Sequence, residues 1–284
     1  MGEIEVLQPG LFTSVQDLGR FGFREFGVPQ SGVMDKYAAK MANLLVGNSG
    51  NAAVLEITQS GPTLKFLNTA IISICGADLS PRLDGEPLQD AKIYNVPAGA
   101  VLSFGRRKTG CRAYLAIKGG FNSEEILNSR SWYKGLTSNF KLQKGMKINC
   151  FKTEEAANVT HTVVKFRKEY LGSNILEVFA GPEFELLSRE QQERVFHQNF
   201  TIDKHNNRMA IQLQEPLENT LEAIITGPVL PGTVQLTPSG KMIILMKDCQ
   251  TTGGYPRILQ FSENALNSIA QKVMGERVEF VLKE

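Results

Sequence analysis

Two stretches of this sequence concentrate side chains that could do chemistry. The first reads Ser14-Val-Gln16-Asp17-Leu-Gly-Arg20, then Phe-Gly-Phe-Arg24-Glu-Phe-Gly27-Val-Pro-Gln-Ser31-Gly-Val-Met-Asp35. Polar groups packed among glycines and a proline fit an ordered loop rather than a plain strand. Glycine lets backbone approach a ligand, while Gln16, Asp17, Arg20, Arg24, Ser31 and Asp35 supply donors, acceptors and charges. The same residues admit a plainer account, in which Arg20 pairs with Asp17 and Asp35 sits at the positive end of a helix. The second stretch, Asp248-Cys-Gln250-Thr251-Thr252-Gly-Gly-Tyr255-Pro-Arg257, follows an apolar run at 242–246. Two hydroxyls, a carboxamide and consecutive glycine N–H groups at a strand end could hold a carboxylate or an amide through directed hydrogen bonds. The alternative is a hairpin in which Thr251 and Thr252 bond their own backbone and Tyr255 packs.

Three further positions stand out. Arg208, in His205-Asn-Asn-Arg208-Met209, offers a planar fork for a carboxylate or phosphate, or belongs to a surface turn. Glu56 lies amid the apolar residues Val54, Leu55 and Ile57, so it is either paired with an arginine or functional. Asp78, after Gly76-Ala, is either a carboxylate at a strand end or a turn cap. The standard nucleotide-binding loops and the Gly-x-Ser-x-Gly elbow of serine hydrolases are missing from the sequence. Cys75, Cys111, Cys150 and Cys249 are far apart and form no Cys-x-x-Cys pair, and only three scattered histidines are present, so no zinc cage is expected and no metal ligands are assigned from this pattern.

The elements that must position these residues are mostly strands. Apolar, β-branched runs ending at Gly, Pro, Asn or Asp occur at 70–75, 101–104, 113–117, 221–226, 242–246 and 278–282. Asp84-Gly85 and Ser239-Gly240 read as hairpin turns, which implies antiparallel pairing. Helical spacing is confined to three places: 33–46, a run begun by the capping box Ser188 and Gln191, and a run capped by Ser262 and ended by Gly275. The fold class expected is mainly β, with a few short helices.

At 284 residues the chain is long for one core, and a weak echo between Ile4-Glu-Val-Leu and Ile175-Leu-Glu-Val suggests two β modules. We place them at 1–165 and 166–284, the join falling in the polar stretch 153–173, where Val163, Val164 and Phe166 could add a strand. With 31 Lys and Arg against 29 Asp and Glu, the net charge of +2 provides no field for nucleic acid or anionic membranes. No apolar run approaches the roughly 20 residues of a membrane helix, and the N-terminus alternates charge with apolar residues, so a cytoplasmic protein with free thiols is expected.

Taken together, Gln16-Asp-Leu-Gly-Arg20, Gly27-Val-Pro-Gln-Ser-Gly-Val-Met-Asp35, Asn207-Arg-Met209 and Gln250-Thr-Thr-Gly-Gly-Tyr-Pro256 resemble the signature segments of the allophanate hydrolase subunit 2 family, in the right order and across nearly the whole chain. Ser129-Arg-Ser131 keeps a further segment's start. The resemblance implies cyclophilin-like β-barrels for both modules and a role as the C subunit of a bacterial ATP-dependent 5-oxoprolinase. Its partners would be a subunit 1 type, kinase-inhibitor-like protein and a lactam-utilisation type subunit.

ATP with magnesium would then be used by the complex, with its site not located in this chain. Asp17, Arg20 and Asp35 would be catalytic. Gln16, Ser31, Glu56, Arg208, Gln250, Thr251, Thr252 and Tyr255 would bind substrate. Arg20 and Arg208 would hold a carboxylate or transferring phosphoryl group, and Asp17, Asp35 or Asp248 would bind magnesium or handle protons. Two other family roles stay open: a non-enzymatic antagonist of a histidine-kinase inhibitor, and a biotin-dependent carboxyltransferase of the urea carboxylase type, which would need a biotinylated partner.

Overall fold

The computed structural model describes residues 2–151 and 166–283. The chain divides into two compact units, one of Met1–Arg20 with Ser31–Leu171, the other of Phe21–Gln30 with Gly172–Glu284. A single boundary therefore cannot express the division, because a ten-residue segment early in the sequence belongs with the second unit. Val163, Val164 and most of the expected join at 153–173 lie outside the described residues; Phe166 is buried but not in a strand.

The first unit is built on two antiparallel sheets. One runs Lys147–Cys150, Gly2–Gln8, Thr63–Phe66, Val101–Phe104, Pro81–Leu83, Glu86–Pro87. The other runs Phe12–Gln16, Val54–Thr58, Thr109–Ile117, Ala70–Asp78, Ile93–Val96. Ile4, Val6, Leu64, Phe66 and Leu102 of the first sheet and Val15, Leu55, Ile57, Ile72, Leu115 and Ile117 of the second share one buried core. Successive side chains of a strand point to opposite faces, so Tyr114 and Ala116 leave that core and enter another, made with Ala38, Ala39, Met41 and Ala42 of the helix Lys36–Leu45. The five-stranded sheet is thus covered on both faces, which is why its central strand, Thr-Gly-Cys-Arg-Ala-Tyr-Leu-Ala-Ile, is almost wholly buried.

The second unit contains a closed barrel of seven strands in the order Ile175–Ala180, Arg257–Phe261, Thr233–Leu236, Met242–Leu245, Ala210–Leu213, Phe200–Asn206, Arg277–Leu282. A separate two-residue ribbon pairs Gly227–Pro228 with Thr252–Gly253. The capping box at Ser188 starts the helix Arg189–His197, and Ser262 caps Glu263–Ile269 by accepting from Ala265 N. That last helix stops short of Val273.

The expected strand at 221–226 does not form. Leu221 N–H is taken by the Asn219 side chain and Ile224 N–H by Gly254 O, so these residues follow a loop and Ile225 is left fully exposed. The hairpin at Asp84-Gly85 is present, with Leu83 opposite Glu86 and both turn residues at positive φ.

Candidate functional site

In the first unit the residues expected to be catalytic are buried and engaged with protein. Asp17 accepts four hydrogen bonds: from Gly19 N at 2.8 Å, Ser129 Oγ at 2.7 Å, Ser131 Oγ at 2.6 Å and Arg130 N at 2.7 Å. Ser131 Oγ also accepts from Asp17 N. The Ser129-Arg-Ser131 segment is thereby laced to the Gln16–Arg20 loop, more than a hundred residues away in sequence. Arg20, wholly buried, donates through Nε to Ile126 O at 3.2 Å and through Nη2 to Ser131 O. Gln16 donates to Ser14 Oγ and Trp132 O. Each guanidinium, carboxylate or amide here meets a fixed partner, as buried polar groups must.

Asp35 and Glu56 organise the other end of this region. One Asp35 oxygen caps the helix Lys36–Leu45 by accepting from Ala38 N at 3.0 Å, and the other accepts from the Tyr170 hydroxyl at 2.6 Å. Glu56 Oε2 accepts from Met34 N at 2.7 Å and from the Tyr114 hydroxyl at 2.9 Å, while Arg112 Nε lies 4.0 Å from its other oxygen. Tyr114 in turn accepts from Asp35 N.

Burial, and then the Glu56 and Asp35 charges, push the Tyr114 hydroxyl well above the usual phenol range; burial and Asp35 do the same to Tyr170. Both remain donors at any working pH. Ser31 is buried at φ 56° and its hydroxyl has no hydrogen-bond partner among the described residues. Gly32 beside it has φ 88°, and an added Cβ would stand 2.7 Å from Leu18 backbone, so only glycine fits.

The second unit presents the more open cluster. Thr252–Gly253 forms the ribbon with Gly227–Pro228, and Val229 N donates to Thr251 O. The hydroxyls of Thr251 and Thr252 make no hydrogen bond among the described residues, and Tyr255 is 40% exposed. The threonines do not bond their own backbone; Thr252 is exposed and Thr251 half-buried.

The framework beneath is specific. Gln250 Nε2 donates to Gln235 Oε1 at 3.2 Å, and Gln235 Nε2 reaches Tyr255 O at 3.5 Å. From the early segment Phe21–Gln30, Arg24 Nη2 donates to Val229 O and, at 3.3 Å, to Gln250 O. Burial pushes the Cys249 thiol up, and Arg24 beside it pulls the other way. Arg208 holds Asp248 with two bonds, Nε to Oδ2 at 2.9 Å and Nη2 to Oδ1 at 3.0 Å, so its fork is occupied by the carboxylate that precedes the loop. Arg257, at the loop's end, does the same with Glu183 and lowers that carboxyl's pKa through these hydrogen bonds.

The expected site residues therefore fall into two sets, six in the first unit and five in the second. Gln235 and Arg24 support the Gln250–Tyr255 loop; Arg24 was expected with the first cluster and not here, and Gln235 was not among the expected residues. A buried polar residue between Val234 and Leu236 was the available signal for Gln235. Among the described residues no group of three or more His, Cys, Asp or Glu side chains could hold a metal ion. No helix among the described residues is long and apolar enough to cross a membrane.

With this geometry in place, comparison with known proteins gives the class. A profile described as carboxyltransferase domain, subdomain A and B, matches residues 26–282, and the chain belongs to that family. The resemblance read from the motifs agrees with it. Among individual proteins, the chain is 32% identical over 285 residues to the 5-oxoprolinase C subunit of Escherichia coli (strain K12), covering 98% of this chain and 90% of that one. The crystal structure of TTHA0988 superposes with a TM-score of 0.89 at 26% identity; 99% of this chain is covered, but it spans only 56% of that chain. The K. lactis urea amidolyase gives a TM-score of 0.89 at 27% identity, with 99% of this chain and 19% of that one covered.

Proposed function

We propose that this chain is the C subunit of an ATP-dependent 5-oxoprolinase, which opens the lactam of 5-oxoproline to glutamate together with a subunit 1 type protein and a lactam-utilisation type subunit in the cytoplasm. One observation carries the reading: the likeness to the 5-oxoprolinase C subunit runs along 98% of this chain and 90% of that protein, so it extends over both units and not one module. On this reading the Gln250–Tyr255 loop faces the substrate. The Thr251 and Thr252 hydroxyls can donate to a lactam carbonyl or carboxylate and accept from a lactam N–H, with the loop held in place by Arg24 and Gln235. An unstrained lactam hydrolyses slowly in water, and ATP used by the complex supplies the driving force for opening it. The buried carboxylates Asp17, Asp35 and Glu56 act in this scheme by fixing loops and do not touch substrate.

A second reading, carboxyl transfer from a biotinylated partner, is favoured by the family description and by the superposition on urea amidolyase. Glutamate release from 5-oxoproline and ATP, measured with the three subunits mixed and each omitted in turn, separates the two. Activity that requires this chain, and that falls at least tenfold when Thr251 and Thr252 are both changed to Val, supports the oxoprolinase. If the full mixture is inactive and bicarbonate-dependent carboxylation by a biotinylated partner requires this chain, carboxyl transfer replaces it. Inactivity in both assays, with tight binding to subunit 1, would make the chain a regulator.

A further inference from the structure

The first unit carries a cavity of about 640 Å³ that shares only Asp78 with the positions singled out from the sequence. Its apolar lining comprises Ile74, Ala77, Pro81, Pro87 and Leu88, of which Pro87 is exposed and Leu88 half-buried. Its rim is charged. Lys108 Nζ stands 3.5 Å from Asp78, and Lys168 Nζ 2.6 Å from Asp90, so two cations and two carboxylates balance. Arg82 is the charge left over. Among the described residues its guanidinium makes one hydrogen bond, from Nη1 to Gly85 O at 2.7 Å, and no ion pair. Most of its five N–H donors stay available.

The walls are fixed, and in an uncommon way. Ser80 at φ 51° and Ala91 at φ 53° are non-glycine residues in the left-handed region, a conformation that persists only where surrounding contacts enforce it. Those contacts are present: Ser80 N donates to Asp78 Oδ1 and its hydroxyl to Arg106 O, and Ala91 N donates to Ile74 O at 2.7 Å. A preformed concavity of this volume, apolar below with a few convergent polar groups above, has the anatomy of a small-molecule site.

We propose that this cavity binds a small organic carboxylate, with the carboxylate in the Arg82 fork and the apolar body against Pro87 and Leu88, beside Ile74 and Ala77. The single excess positive charge suits one carboxylate, and the apolar lining excludes a ligand that is charge alone. The proposal stands on the cavity and not on the oxoprolinase reading. It is therefore tested with the isolated full chain, without ATP or partners, so its failure is distinct from loss of reconstituted activity.

The probes are 5-oxoproline, 2-pyrrolidinone, which is the same ring without the carboxylate, and inorganic phosphate, followed by the methyl NMR signals of Ile74 and Ala77. Saturable shifts are expected with 5-oxoproline, about tenfold weaker binding of 2-pyrrolidinone, and about tenfold weaker 5-oxoproline binding to Arg82→Ala, the scale of one lost charge-assisted bidentate contact. Arg82→Lys should recover part of the loss, and the exposed position of Arg82 means methyl signals elsewhere should not move. The proposal is overturned if 5-oxoproline produces no saturable shift, if 2-pyrrolidinone binds equally well, if phosphate binds as tightly as 5-oxoproline, or if Arg82→Ala binds like the parent.

Discussion

The hydroxyl of Tyr114 is one oxygen atom that ties the Val33–Asp35 backbone to the strand Val54–Thr58, and removing it is a sharp test of the structure. It accepts from Asp35 N at 2.8 Å and donates to Glu56 Oε2 at 2.9 Å, in a region with no access to water. Tyr114→Phe keeps the ring and its packing, so the loss is confined to these two bonds. Depriving a buried backbone donor of its acceptor costs about 1–3 kcal/mol, and a lost hydrogen bond to a carboxylate about 1.5–3 kcal/mol. Allowing for partial relaxation, unit 1 should lose about 3 kcal/mol, which for a domain of this size is a fall of roughly 6–12 °C in its melting temperature. Thermal unfolding followed by near-ultraviolet circular dichroism, with urea titration as a second probe, measures this. Tyr94→Phe is the control, because that hydroxyl bonds the Gln89 backbone in an exposed loop and should change stability by no more than about 0.5 kcal/mol. If Tyr114→Phe is as mild as Tyr94→Phe, the buried network does not pin the Val33–Asp35 backbone and the account of Glu56 and Asp35 as loop-fixing groups fails.

Other outcomes follow from the same contacts. Burial first and the Asp90 charge second push the Cys75 thiol up to about 12, so its contribution to stability is present below its ordinary value of 9.0 and is lost as pH rises towards 12. Cys75→Ala should flatten that alkaline limb, and native Cys75 should resist thiol reagents at pH 8. The Glu183 carboxyl is lowered by its bonds to Arg257, so its contribution is present above its ordinary value of 4.5 and lost as pH falls through the lowered one. Urea midpoints of Arg257→Ala should therefore depend less on pH below 4.5 than those of the parent. At Gly253 an added Cβ would collide with the Gln235 amide, whereas at Gly254 the nearest atom is Ile224 O at 3.4 Å. Gly253→Ala should cost unit 2 about 1–3 kcal/mol in urea unfolding and Gly254→Ala close to nothing.

What could be read from the sequence was local. The capping box at Ser188 needs only residues three apart, the Asp84-Gly85 hairpin only a turn, and both were legible. The strand expected at 221–226 had the right residue types but no partner: pairing is a property of two segments, and Asn219 and Gly254 capture the N–H groups first. The candidate site divides in the same way. Densities of polar residues were visible at Gln16–Arg20, Gly27–Asp35 and Gln250–Tyr255, but residue type does not distinguish a ligand-facing carboxylate from one that ties loops together. Burial decides that, and three of the four partners of the Asp17 carboxylate lie 112 to 114 residues away in sequence. Arg24 meets carbonyls more than 200 residues downstream, a contact no spacing rule reaches.

That last separation has a consequence for how the protein is made. Phe21–Gln30 leaves the ribosome early, but Val229 and Gln250, the carbonyls that receive Arg24, emerge some 200 residues later. At roughly 5–20 residues per second, the ten-residue segment waits about 10–40 s before its docking partners exist. During that interval Arg24 has none of the carbonyls that hold it, so the nascent chain carries an undocked segment with three phenylalanines, of which Phe21 and Phe26 stay exposed in the finished fold as well. Slow codons or low temperature lengthen the wait, and the yield of soluble protein should track the pace of synthesis more closely than the stability of the finished fold.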